Sequence, residues 1–125
     1  MLPSIKMLFE MAYRLTLYAL GRRSIVICEQ SDARLILRSN FTHVVVDRSQ
    51  CIVAVGSRTK VKFEAIKSID IVHRRATSDW PDLWTIRLNV SWHSSPVVGQ
   101  TTEAVDASIA AARIATLTSK QVRSL

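Results

Sequence analysis

Apolar and polar residues alternate most cleanly late in the chain. Trp84, Ile86, Leu88, Val90 and Trp92 interleave with Thr85, Arg87, Asn89 and Ser91. In an extended backbone successive side chains point to opposite faces, so the five apolar groups share one face of a strand. Shorter runs upstream, at 24–29, 33–38, 42–47, 51–55, 60–64 and 68–73, also read as strands. Gln30-Ser31-Asp32, Ser39-Asn40, Arg48-Ser49-Gln50 and Gly56-Ser57-Arg58 supply the turns between them. Cys51, Val53 and Val55 fall on one face. Val61 and Phe63 point inward, while Lys60, Lys62 and Glu64 point outward. Residues 65–67 read as a single helical turn. Pro81 keeps a central strand out of the polar loop 74–82, and Pro96 suits 96–100 to a sheet edge.

Two stretches follow the helical period instead. In residues 1–20, Lys6, Glu10 and Arg14 recur every four positions and form one narrow polar stripe. Ile5, Leu8, Phe9, Met11, Ala12 and Leu15 cover most of the remaining surface. Pro3 and Ser4 suit the start of this helix, and Gly21 its end. The second helix spans 103–120, capped by Thr101 or Thr102, with Glu103 and Asp106 opposing its dipole. Its apolar arc is Val105, Ile109, Ala112, Ile114 and Leu117. The predicted fold is therefore mainly β: six or seven antiparallel strands forming a small barrel or sandwich, capped by one C-terminal helix. Residues 1–21 form an additional amphipathic helix, and 22–125 form the domain. Without βαβ alternation, a parallel arrangement is not expected.

At 125 residues and 48% apolar composition, the chain is one domain that can bury a core without disulfides or metal. The 17 Lys and Arg against 10 Asp and Glu give +7, and residues 1–75, with 13 and 6, hold the whole excess. Such a field favours lipid head groups, nucleic acid or an acidic protein surface, or it simply solvates the protein. Cys28 and Cys51 sit in apolar runs without a CxxC partner, as buried free thiols of a reducing cytoplasm do. Glu10 and Arg14 break the first apolar stretch, which has no A-x-A cleavage pattern and is too interrupted to span a bilayer. The expected location is cytoplasmic, with peripheral attachment to a membrane as the alternative.

Catalytic constellations are not apparent. His43, His73 and His93 lie far apart without metal-ligand spacing, and no phosphate-binding glycine loop or nucleophile elbow occurs. No cofactor, metal or enzymatic activity is expected. The anion- or lipid-binding candidates are Arg58, Lys60 and Lys62, which alternation puts on one side of a hairpin, and Arg74 and Arg75 at a loop edge. Trp80 is the aromatic residue expected in a loop, whereas Trp84 and Trp92 belong to a core face. The first helix, through Ile5, Leu8, Phe9, Ala12 and Leu15, needs a surface to cover it: its own domain, a second copy or a membrane interface.

Val44-Val45-Val46-Asp47-Arg48, the strand at 51–55, and the run Val61-Lys62-Phe63-Glu64-Ala65-Ile66-Lys67-Ser68-Ile69-Asp70-Ile71 together resemble bacterial pleckstrin-homology-like domains. There a strand ends in an Asp-Arg turn, a Phe-x-x-Ile-x-x-Ile run links the middle strands, and an Ala- and Ile-rich helix follows. Ile109-Ala110-Ala111-Ala112-Arg113-Ile114-Ala115 is similar to that helix. The resemblance covers roughly residues 24–120 and implies a split barrel of two orthogonal sheets closed by the helix. It further implies binding of phosphoinositides or of proteins. Lipid-binding members carry basic residues in the first strand loop, here Gln30-Ser31-Asp32 with Arg34 close by. The expected function is a non-enzymatic binding or scaffold domain acting through protein contacts or self-association. A peripheral module on anionic lipid is the alternative, and nucleic acid is the less expected partner.

Overall fold

The computed structural model describes residues 5–19, 23–40, 42–90 and 95–125, with the side chains of 13–19 outside the description. Helix α1 (Ile5–Ala19) precedes five strands: β1 (Ile25–Gln30), β2 (Arg34–Ser39), β3 (Thr42–Asp47), β4 (Ile52–Val55) and β5 (Thr59–Lys62). They form one antiparallel meander in chain order. A second sheet holds β6 (Ile66–Arg74), β7 (Leu83–Val90), β8 (Val97–Thr101) and β9 (Val122–Ser124), in the order β8-β7-β6-β9. Helix α2 (Ala104–Thr118) lies between β8 and β9 in the chain. The chain is mainly β with a helix near each end, as its pattern predicts.

One core joins both sheets and α2. Leu35 and Leu37 of β2, Val44 and Val46 of β3, Val53 of β4, Ile69 of β6, and Ile86 and Leu88 of β7 are buried in it. Period-two spacing supplies each strand's contribution. Helix α2 adds Ala107, Ala110, Ala111, Ile114 and Leu117, and the alanines let its backbone come close to the strands. The Asp47 carboxylate organises the β3–β4 turn. It accepts from the Ser49 hydroxyl at 2.6 Å and from the Ser49 and Gln50 amides at 3.0 and 3.3 Å. The Ser49 hydroxyl, foremost, holds this carboxyl below its ordinary pKa.

Several expectations need correction. Cys51 is no strand residue: it closes the β3–β4 turn at φ 55°, and its side chain is exposed. Cys28 is also exposed, because alternation along β1 puts it on the outer face with Val26, opposite the inward Ile25 and Ile27. Neither thiol belongs to the core. The single helical turn is Phe63–Ala65, two residues earlier than predicted. Glu103, not a threonine, is the N-cap of α2, and it makes no side-chain cap bond; Thr101 Oγ1 instead accepts from the Glu103 amide. Val105, Ile109 and Ala112 face solvent, because the small residues at 107, 110 and 111 form the stripe that packs. Nine strands are present among the described residues, and β9 pairs with β6 in parallel. The predicted caps Pro3, Ser4 and Gly21, together with Trp92 and His93, lie outside the described residues.

Candidate functional site

Helix α1 presents the predicted interaction residues Ile5, Leu8, Phe9 and Ala12 unburied. Glu10 meets Arg38 at 3.3 Å. Leu35, Leu37 and Ser39 of β2 point into the core, so Arg38 stands on the outer face of the first sheet. That contact orients the helix. At about 100° per residue, Ile5, Leu8, Phe9 and Ala12 lie about 100–160° around the axis from Glu10. The ion pair places Glu10 beside the outer face of the sheet, and the side chains of residues 5–12 are all exposed. Ile5 and Phe9 are 73% and 72% exposed, and Leu8 is 52% exposed. By spacing Leu15 continues the stripe, although its side chain lies outside the described set.

The five basic candidates split into two places. Arg58 lies in the β4–β5 turn, and Lys60 and Lys62 point outward from β5; all three are exposed. Among the described residues none has a carboxylate within 4.0 Å. Arg74 ends β6, and Arg75 follows it. Ile66 and Arg74 are eight steps apart along β6, about 26 Å at about 3.3 Å per residue. The basic hairpin adjoins the Ile66 end, since Lys62 and Val90 line one cleft and Val90 is the register partner of Ile66. The five cations do not form one patch.

Arg74 instead shares a cleft with Trp80. With Arg23, Leu83 and Gln100 they line about 210 Å³, and Trp80 is 54% exposed. The loop holding Trp80 is tightly bonded. The Thr77 amide donates to the Trp80 carbonyl at 2.8 Å, and the Trp80 amide donates to Thr77 Oγ1 at 3.1 Å. Asp82 accepts from the Ala76 amide at 3.0 Å and contacts His73 Nε2 at 2.8 Å. The His73 contact, ahead of the Ala76 amide, holds the Asp82 carboxyl below its ordinary pKa. The His73 ring stacks parallel on Trp84, their centroids 4.5 Å apart. Trp84 is thus half-buried and packs on the core, while Trp80 stays outside it.

Sequence spacing did not reveal a third cleft. Arg48 from the β3–β4 turn and Arg113 from α2 line about 240 Å³ beside Gln30 at the end of β1 and Ser31 and Asp32 of the β1–β2 loop. They are 65 positions apart, so only folding brings them together. Among the described residues no three His, Cys, Asp or Glu side chains gather as metal ligands. Among them, too, no helix is long and apolar enough to cross a membrane. Compared with family models, with curated proteins and with solved structures, the chain finds no match in any of the three.

Proposed function

We propose that this chain is a non-enzymatic, pleckstrin-homology-like interaction domain that self-associates through α1. The observation that carries this reading is the exposure of the large apolar side chains Ile5, Leu8 and Phe9 on a helix whose Glu10 pairs with Arg38 of β2. Exposed apolar side chains gathered on one helix face favour a contact that removes them from water. An uncharged stripe is also self-complementary across a two-fold axis. Sedimentation equilibrium of the full chain and of Phe9→Asp tests this. A concentration-dependent dimer that Phe9→Asp converts to monomer, with an unchanged melting temperature, is the expected result. Two forms that stay equally monomeric overturn it.

A second reading has its own support. Arg48 and Arg113 flank the β1–β2 loop and could serve as cations for an anionic lipid head group, with α1 lying in the interface. Its signature is co-sedimentation with anionic vesicles that weakens with salt and with Arg48→Glu. Equal binding to neutral vesicles sinks it.

A further inference from the structure

We propose that the outer edge of β5 is a docking site for an extended acidic peptide, added as a sixth strand of the first sheet. Among the described residues no strand lies beyond β5 in that sheet. The hydrogen bonds fix which backbone groups face the opening. The Phe63 amide donates to the Cys51 carbonyl at 2.9 Å. Bonded and non-bonded pairs alternate in an antiparallel ladder, so Val61 opposite Val53 and Thr59 opposite Val55 are the bonded pairs. The far side of β4 agrees. The Gly56 amide donates to the His43 carbonyl at 2.8 Å, which turns Ala54 and Ile52 toward β3. Lys60 and Lys62 are left with their N–H and C=O groups directed at the open edge.

The side chains beside that edge specify the guest. A cleft of about 450 Å³ adjoins it, lined on its apolar side by Val61, Ala65, Val90 and Pro96. That volume is within the range of ordinary ligand clefts, about 300–1,000 Å³. Directly opposed residues of an antiparallel pair share a face. A guest residue opposite Val61 therefore points into the cleft. Guest residues opposite Lys60 and Lys62 lie on the outer face beside two ammonium groups. The matching sequence alternates acidic and aliphatic residues. The same lysines repel the β5 edge of another copy, so the site selects against edge-to-edge pairing of this chain with itself. This is backbone-directed strand addition, with charge choosing the guest.

The test uses an acetylated, amidated hexapeptide of alternating Glu and Val, titrated into the full chain at low salt. Amide hydrogen exchange is read by NMR. The expected result is saturable binding that slows exchange at the Lys60 and Lys62 amides and leaves Val61, already paired with Val53, unchanged. Lys60→Glu with Lys62→Glu should weaken binding at least tenfold, and an alternating Lys and Val peptide should then bind that variant. No saturable binding, or binding that leaves the Lys60 and Lys62 amides unprotected, overturns the proposal. So does equal affinity for a hexapeptide of the same charge whose middle Glu is N-methylated, which removes a ladder donor opposite the β5 edge. The exchange measurement needs no variant, so it decides the question even if the charge-reversed chain fails to fold.

Discussion

Ser39 of β2 and Gln100 of β8 are 61 positions apart and share two hydrogen bonds. The Ser39 hydroxyl accepts from the Gln100 amide at 3.0 Å and donates to the Gln100 carbonyl at 3.3 Å. This contact joins the two sheets at one corner, and Gly99 permits it. A Cβ on Gly99 would sit 2.9 Å from Ser39 Cβ and 3.1 Å from Ile25 Cδ1. Gly99→Ala should therefore cost about 1–3 kcal/mol, the ordinary cost of overpacking. Urea denaturation should show a lower midpoint, and the Gln100 amide should exchange faster. An unchanged midpoint would mean that the corner relaxes without cost.

Acid should loosen the C-terminal strand. Arg123 of β9 donates to both carboxylate oxygens of Asp70 on β6, at 3.1 and 2.8 Å. The Ser68 hydroxyl donates to the same carboxylate at 2.7 Å. The Arg123 bond, foremost, holds Asp70 below its usual range against the opposing effect of desolvation. A carboxylate with a depressed folded pKa stabilises fully above its unfolded value, about 3.9, and that stability is lost as pH falls through the lower folded value. The native chain should therefore lose stability below about pH 4 more steeply than Arg123→Gln. The Ile69 amide, which donates to the Gln121 carbonyl, should lose exchange protection over the same interval. Parallel stability curves for the two proteins would rule this out.

The strands were readable because their cores are β-branched or aliphatic at period two, and β3 matches its predicted bounds. Other features had a weak local signal or none. In α2 the packing residues are mostly alanines, so a search for large apolar side chains chose Val105 and Ile109 instead. Strand β9 has three residues, all exposed, and it exists because Arg123 finds Asp70 53 positions away. In α1 the composition was legible, but which face meets the sheet depends on Arg38, a contact across 28 positions. The basic residues were each visible. Their separation to opposite ends of β6 was not, because it follows from strand length and connectivity.

Both cysteines should be reactive in the native state. Cys28 and Cys51 are exposed and unpaired with each other, so a thiol reagent should label two groups per chain without denaturant. Protection of either would contradict the placement. Cys51 also carries φ 55°, a conformation that disfavours residues with a Cβ. Cys51→Gly should stabilise the fold by about 0.5–1 kcal/mol, the relief of that conformation less the added freedom of the unfolded chain. Cys51→Val should destabilise it, since a β-branched residue tolerates this region least. Thermal melts of the two variants on either side of the native value would confirm the assignment.

The Glu10–Arg38 pair should govern association far more than stability. Both side chains remain partly in water, at 46% and 26% exposure. Exposed pairs of this kind contribute at most about 1 kcal/mol, and often nothing measurable. Arg38→Glu should accordingly leave the melting temperature of the β-domain nearly unchanged. It should nevertheless repel Glu10 and release the rotation of α1, so that Ile5, Leu8 and Phe9 can turn onto the sheet instead of into a partner. Weaker dimerisation in sedimentation equilibrium is the expected outcome. Combining Arg38→Glu with Glu10→Arg restores opposite charges at the same positions and should restore the dimer. A single variant that associates normally, or a charge-swapped pair that does not recover, would show that something other than this contact orients the helix.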